Sequence, residues 1–371
     1  MKIIFALEMS PISNSVKGRG EQIFERLAID CKIVFFSKME NILSIIKNHP
    51  KDAFKRLKLK IVRQENDFII IELPAIFLPA ANIFRIINRI NNIILSFFVW
   101  YIRKKYNIKK IDIWWVGYPY AIDYVKDKSK IVYDCFDEHL GWKGYYLKST
   151  VKKIERDLLQ LADVSIFSAS KLLENKGEYA KKSLLILNGT DYEHFYMLPN
   201  HSRNYNKIIL YSGVISHWFD VELIEHCIQT LQDFTFWFVG PDRGSYLSYL
   251  CKLKNVKYFG LIKYENLAKY YHESSVCIIP FKVDKLIEST NPIKLYEYLS
   301  AGKPVVTTKY PEAEKYKAVV YIANDKVDFS NLIRIAYQEN EIEKITQRQK
   351  IASINSWDRR IDEIKRALSN L

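Results

Sequence analysis

The chain has 371 residues, 49% of them hydrophobic and 26% charged, which excludes a disordered polymer and exceeds what one core usually organises, so two domains are expected. The net charge of +14 is lopsided: residues 1–190 carry 32 basic and 20 acidic side chains, residues 191–371 carry 24 and 22. That asymmetry points to an anionic surface or polyanion as partner of the first half.

Short apolar runs alternate with helix-length amphipathic runs, the pattern of parallel sheets covered by helices. The opening MKIIFALEMSPISNS has too short an apolar core for a signal peptide and reads as a strand over Lys2–Leu7. A helix is expected over Arg19–Ile29. Strands are expected at Lys32–Phe36, Phe68–Glu72, Ile111–Val116, Lys130–Tyr133, Val164–Ser168 and Leu184–Leu187. Between them, Pro50–Lys60 (PKDAFKRLKLK) interleaves basic residues with Phe54, Leu57 and Leu59, and Ile93–Lys105 joins an apolar run to a basic end. Amphipathic basic segments lie on anionic membranes. The first stretch suits that role better; the second reads as a core helix with a charged end. The longest apolar run, Ile93–Ile102, falls short of the ~20 residues a spanning helix needs.

A second strand–helix series follows, with strands expected at Ile208–Ser212, Thr235–Val239, Lys257–Phe259, Val276–Ile279 and Pro304–Thr307. The organisation is therefore α/β. A first doubly wound domain covers residues 1–190 and a linker covers 191–206. A second domain covers 207–350, and the segment 351–371 forms a helix docking on the first domain. Ligands of such sheets bind at the carboxyl ends of the strands, here in a cleft between the domains. Five scattered cysteines without a CxxC pair suggest neither disulfides nor zinc and fit a reducing cytosol.

The most informative run is STNPIKLYEYLSAGKPVVTT, residues 289–308. Asn291 is expected as N-cap, Pro292 as first helical residue and Gly302 as the stop. Helical spacing puts Lys294, Glu297 and Ala301 on one face and Leu295, Tyr296 and Leu299 on the other. Free amides and the positive dipole end at the helix start attract a diphosphate, with Lys294 adding charge. Glu297, one turn deeper, can accept hydrogen bonds from two ribose hydroxyls. A plain Lys294–Glu297 surface ion pair explains the same spacing.

The run PIKLYEYLSAGKPVV resembles the donor-site signature of bacterial GT-B glycosyltransferases of the family-4-like and teichuronic-acid-type groups. LYSGVISHWFD (210–220), WFVGP (237–241), NVKYFG (255–260), NGTDYEHF (188–195) and RGEQIFERLA (19–28) are similar to further stretches of that group. The Ser356-Trp357 segment resembles its crossover helix. The resemblance implies two Rossmann-like domains and a nucleotide-sugar donor, with Glu297 on the ribose. The diphosphate would lie on Lys294 and the backbone of the Asn291–Lys294 turn, in which Pro292, lacking an N–H, shapes the turn and the amides of Asn291, Ile293 and Lys294 donate. Gly213 would let the first loop of the second domain approach the phosphates, and the base would sit near Phe259-Gly260-Leu261. No metal cofactor is implied, since no Asp-x-Asp motif is present.

Retaining relatives carry a glutamate at the place held here by Ser289, with Glu288 one residue away, so the stereochemical outcome stays open. An inverting reaction needs a general base, and the loop after Lys130–Tyr133 (DCFDEHLG, 134–141) supplies Asp137 as first choice. Glu138 and His139 stand behind it, and Asp134 can brace the loop. The acceptor is expected to be a glycan or a lipid-linked sugar, met by a peripheral protein at the cytoplasmic membrane face during polysaccharide synthesis. The alternatives are a nucleotide-sugar epimerase and a catalytically inactive sugar-nucleotide binder. A nucleic-acid partner is disfavoured because no binding motif accompanies the charge.

Overall fold

A computed structural model describes the chain apart from residues 9–16, 37–38, 42, 44–45, 47–53, 66, 82, 126–127, 129, 142–146, 200–205 and 340. It divides into two compact units. One comprises Gly18–Ile186 with the first strand and Ile361–Leu371; the other comprises Leu187–Arg360.

The first unit holds strands β1 (Lys2–Leu7), β2 (Cys31–Phe36), β3 (Lys60–Glu65), β4 (Phe68–Glu72), β5 (Ile113–Val116), β6 (Ile131–Cys135), β7 (Val164–Phe167) and β8 (Ser183–Leu185). They form one sheet in the order β3-β4-β2-β1-β5-β6-β7-β8. Helices α1 (Arg19–Leu27), α2 (Arg85–Lys105), α3 (Lys148–Leu161) and α4 (Ser170–Lys176) connect them. The central strands are short continuous apolar runs because both faces are covered: Ile113 to Val116 are all buried, as strands of a parallel sheet should be.

The sequence gives no warning of β3, which pairs antiparallel with β4 at the sheet edge. Its KIVRQE composition is polar, as suits an exposed edge. The basic stretch 50–60 therefore breaks up. Residues 51–53 lie outside the described residues, Lys55–Leu57 forms a single turn, and Lys60 opens β3.

The second unit holds β9 (Ile208–Ser212), β10 (Thr235–Val239), β11 (Val256–Gly260), β12 (Val276–Ile279), β13 (Val305–Thr308) and β14 (Tyr321–Ala323). All pair in parallel, in the order β11-β10-β9-β12-β13-β14. The order reverses between β9 and β12, which makes their carboxyl ends the switch point where doubly wound sheets bind ligands. Helices α5 (Val221–Thr230), α6 (Leu267–Glu273), α7 (Ile293–Ser300), α8 (Lys326–Gln338) and α9 (Ile342–Ile354) flank the sheet. Two apolar clusters, around Phe236 and Phe329 and around Leu295 and Leu299, lie on its two faces. The closing helix after Ser356 forms as expected, but residues 351–354 of the segment 351–371 belong to the helix before it. Helix α9 ends at Ile354, and α10 (Trp357–Ser369) follows after Asn355 and Ser356.

Candidate active site

The donor-site residues gather at the switch point. Helix α7 begins one residue later than expected: Pro292 is the N-cap and Ile293 the first helical residue. Asn291 cannot cap because its Oδ1 accepts the Asn188 amide at 2.9 Å, while its Nδ2 donates to the Tyr296 hydroxyl at 2.9 Å. This buried asparagine fixes the approach to the helix, and its side chain is fully engaged within the protein. Gly302, with φ of 71°, ends the helix as a left-handed glycine does.

The two expected faces of α7 are not one inside and one outside, for every residue from Leu295 to Ser300 is buried. Glu297 is 7% exposed. Its Oε2 accepts the Tyr271 hydroxyl at 2.8 Å, and Oε1 has no protein partner among the described residues. The Tyr271 hydroxyl oxygen in turn accepts from Ser212 Oγ at 3.2 Å, which ties the carboxylate to the end of β9. Burial pushes Glu297 up to about 7, with the Tyr271 hydrogen bond and Lys294 pulling the other way.

Lys294 does not form the plain ion pair with Glu297. Its Nζ donates to the Tyr211 hydroxyl at 2.8 Å and lies over the rings of Tyr211 (4.1 Å) and Phe281 (5.2 Å). Burial pushes this ammonium down to about 7, and only Glu297 opposes it. Gly213 makes the placement possible. It has φ of 134° at the end of β9, and a Cβ there would stand 2.6 Å from Lys294 Nζ. Gly240, at the end of β10, carries φ of 129°, and a Cβ on it would meet the Gly213 carbonyl oxygen at 2.1 Å. The adjacent ends of β9 and β10 are thus stripped of side chains. Above Gly260, beside the expected base position, a Cβ would meet nothing within 4 Å.

The arrangement can bind a nucleoside diphosphate. It offers a carboxylate oxygen for ribose, a masked ammonium, the first amides of α7 and a glycine floor. Tyr211, Ser212, Tyr271 and Gly240 were not anticipated, because nothing local in the sequence says that a tyrosine 26 residues before Glu297 will hold its carboxylate.

In the first unit, Asp137 is half-buried in the loop after β6. Its neighbours are committed elsewhere. Asp134, buried, accepts both contacts from Arg19 Nε at 3.1 and 3.0 Å. Glu138 pairs with Lys176 at 3.1 Å, and Lys176 pairs with Glu155 at 2.9 Å. His139 is buried and pushed down to about 4 by burial, so it is neutral at ordinary pH. An unanticipated carboxylate, Glu8, ends the first strand's run with Oε1 buried and without a hydrogen-bond partner among the described residues. Burial and then Asp134 push it well above the usual carboxylate range. Gly117 gives it room, since a Cβ there would stand 2.2 Å from Glu8 Oε2. Glu288, the displaced glutamate, is exposed at the end of the turn Lys285–Glu288, and Ser289 is buried.

The two α/β units, each built on a largely parallel sheet, and the site at the switch point of the second define a class, a glycosyltransferase of the GT-B fold. Residues 206–339 match the family described as Glycosyl transferases group 1, so the second unit carries a group 1 glycosyltransferase domain. The chain is 25% identical over 280 residues to a Bacillus subtilis (strain 168) protein named for teichuronic acid biosynthesis, the glycosyltransferase TuaH, covering 68% of this chain and 70% of that one. Among solved structures, sucrose-phosphate synthase from Thermosynechococcus elongatus shares the fold at a TM-score of 0.72 and 14% identity, covering 100% of this chain and 99% of that one. Anabaena HepE, solved in complex with UDP, does so at 0.69 and 14% identity, covering 100% of both.

Proposed function

We propose that the protein transfers a sugar from a nucleotide-sugar donor to a lipid-linked or other glycan acceptor, at the cytoplasmic face of the membrane, in cell-surface polysaccharide synthesis. The observation that carries the donor half is the joint placement of Gly213, Lys294 and Glu297 at the carboxyl ends of the strands. Glu297 Oε1 accepts from the ribose, and Lys294 with the amides of Ile293 and Lys294 holds the diphosphate. Asn291 and Pro292 set where those amides point. When the acceptor oxygen attacks the anomeric carbon, the carbon–oxygen bond to the diphosphate breaks and negative charge grows on the leaving phosphate. Lys294 and the helix start then stabilise that charge. Asp137 takes the acceptor proton. No metal is assigned a part.

The acceptor half rests on the charge of the first 190 residues and on the name of the TuaH relative. The test is a nucleotide panel read by thermal stabilisation, followed by turnover with lipid-linked and soluble acceptors. Stabilisation by a nucleoside diphosphate and transfer to a lipid-linked acceptor support the reading. Release of an epimerised nucleotide sugar without an acceptor refutes it.

A further inference from the structure

Helix α2 buries three asparagines beside its apolar inner face and leaves a second apolar face exposed. Asn88, Asn91 and Asn92 face inward with Leu95, Phe98, Val99 and Ile102. Ile86, Ile90, Ile93, Phe97 and Trp100 lie outward, each between 41% and 71% exposed. Their spacing of four, three, four and three residues makes a single stripe along the helix. A helix on a water-facing surface shows the reverse, and contiguous apolar patches of this kind mark interaction surfaces.

The helix cannot roll to hide the stripe. Asn91 accepts the Leu78 amide at 2.8 Å and donates to the Leu78 carbonyl at 3.0 Å. Asn88 donates to Tyr120 O at 3.0 Å and to Asp123 at 2.9 Å. These clamps hold the inward face, so the outward face is part of the folded design.

Charge decides what covers it. Across its 21 residues the helix carries Arg85, Arg89, Arg103, Lys104 and Lys105 and no acidic residue. Arg85 is paired with Asp123 at 2.9 Å, so Arg89 stands near one end of the stripe and the cluster Arg103, Lys104 and Lys105 at the other. A second copy packed antiparallel would set those cations against each other. An anionic leaflet matches both features at once, with apolar side chains in the acyl boundary and basic ones at the headgroups. Trp100 lies at the basic end, where aromatic rings anchor at the interface. It lines a groove of about 280 Å³ with Lys104, Asn107 and Lys109. Among the described residues no helix is long and apolar enough to cross a membrane, so α2 would lie flat.

We infer that the outward face of α2 is the surface by which this protein docks on an anionic lipid leaflet. The inference deepens the membrane part of the proposed function and moves the contact from the stretch 50–60. There Arg56 is held by Glu40 at 3.1 Å and Glu72 at 2.7 Å, and Lys60 lies 3.8 Å from Glu72.

The test is cosedimentation with phosphatidylcholine vesicles with and without phosphatidylglycerol. The wild type is expected to sediment only with the anionic vesicles. The variant Ile93→Ser/Phe97→Ser/Trp100→Ser should lose about ten-fold or more of that binding, the scale of several buried apolar side chains, with unchanged nucleotide affinity and melting temperature. Brominated lipid should quench wild-type tryptophan fluorescence more than that of Trp100→Phe. Equal sedimentation of wild type and triple variant, with loss instead in Lys55→Glu/Arg56→Glu/Lys58→Glu, overturns the assignment to α2 and leaves the membrane reading standing. No sedimentation of the wild type overturns both. A wild-type dimer that the triple variant makes monomeric gives the face to a second copy and overturns the inference.

Discussion

Lys294 gives the donor site a measurable pH signature. Burial holds its ammonium near 7 in the ligand-free protein, against an ordinary value of 10.5. A diphosphate beside it favours the charged form, so the bound value rises. Binding takes up a proton, so the contribution of Lys294 to affinity is full below about 7 and is lost as pH climbs from there toward the bound value. Each unit above 7 costs about 1.4 kcal/mol, ten-fold in Kd. Between about pH 7.5 and about pH 9 the affinity for a nucleoside diphosphate should therefore fall by about 30-fold. The diphosphate is already fully ionised there, so the slope belongs to the protein. Calorimetry at about pH 8 in two buffers of different ionisation enthalpy should show uptake of ~0.9 proton per ligand. Lys294→Ala should abolish both the slope and the uptake while binding more weakly at neutral pH. A flat profile in the wild type, or a slope that survives in Lys294→Ala, would falsify the placement of the diphosphate on this lysine.

Glu297→Gln keeps an acceptor for Tyr271 but loses the carboxylate, and should weaken nucleoside diphosphate binding by about 1–3 kcal/mol in a calorimetric titration. Tyr271→Phe removes a hydrogen bond that lowers the Glu297 value, so the acid limb of the binding profile, where protonated Glu297 stops accepting, should move to higher pH. Gly213→Ala drives a methyl into Lys294 at a strained backbone angle. It should cost about 1–3 kcal/mol of stability, seen in denaturant unfolding, and most of the nucleotide affinity. Asp137→Asn should lower turnover by roughly 10²-fold at unchanged donor affinity. If it turns over normally while Glu8→Gln does not, the proton goes to the raised carboxyl of Glu8 instead.

Where the sequence spoke clearly, a single local rule was at work. The strands Val276–Ile279 and Ile208–Ser212 are legible because burial on both faces demands unbroken apolar runs. The stop of α7 is legible because a glycine in the left-handed region, Gly302, ends a helix by a rule local to its own neighbours. Failures came where distant groups decide. Asn291 was read as a cap from its neighbours, but the Asn188 amide, 103 positions away, takes its side chain. Strand β3 was hidden because edge position tolerates the charges that elsewhere argue against a strand. Helix α2 is the core helix with a basic end that its sequence suggests, with Leu95, Phe98, Val99 and Ile102 in the core, but a count of apolar residues in Ile93–Ile102 does not show that a second apolar face stays exposed.

Lys294 and Glu297 lie one turn apart on α7, and burial moves them toward each other, one down to about 7 and one up to about 7. A pair held together for stability would do the opposite, each partner keeping the other charged. Here the ammonium is turned to the Tyr211 ring and hydroxyl, and the carboxylate to Tyr271, so their mutual attraction offsets only part of the burial cost. Both groups are kept short of full charge until something arrives that favours it. A diphosphate does so for Lys294, and ribose hydroxyls do so for Glu297, so each half of one ligand relieves one of the two desolvation costs. Replacing Lys294 by Met, which fills the same space without charge, should therefore stabilise the ligand-free protein by on the order of 1 kcal/mol, seen as a higher melting temperature. The same change should remove the stabilisation that a nucleoside diphosphate gives. A variant that melts lower without ligand yet is still protected by it would mean that the lysine serves the fold and the diphosphate is held elsewhere.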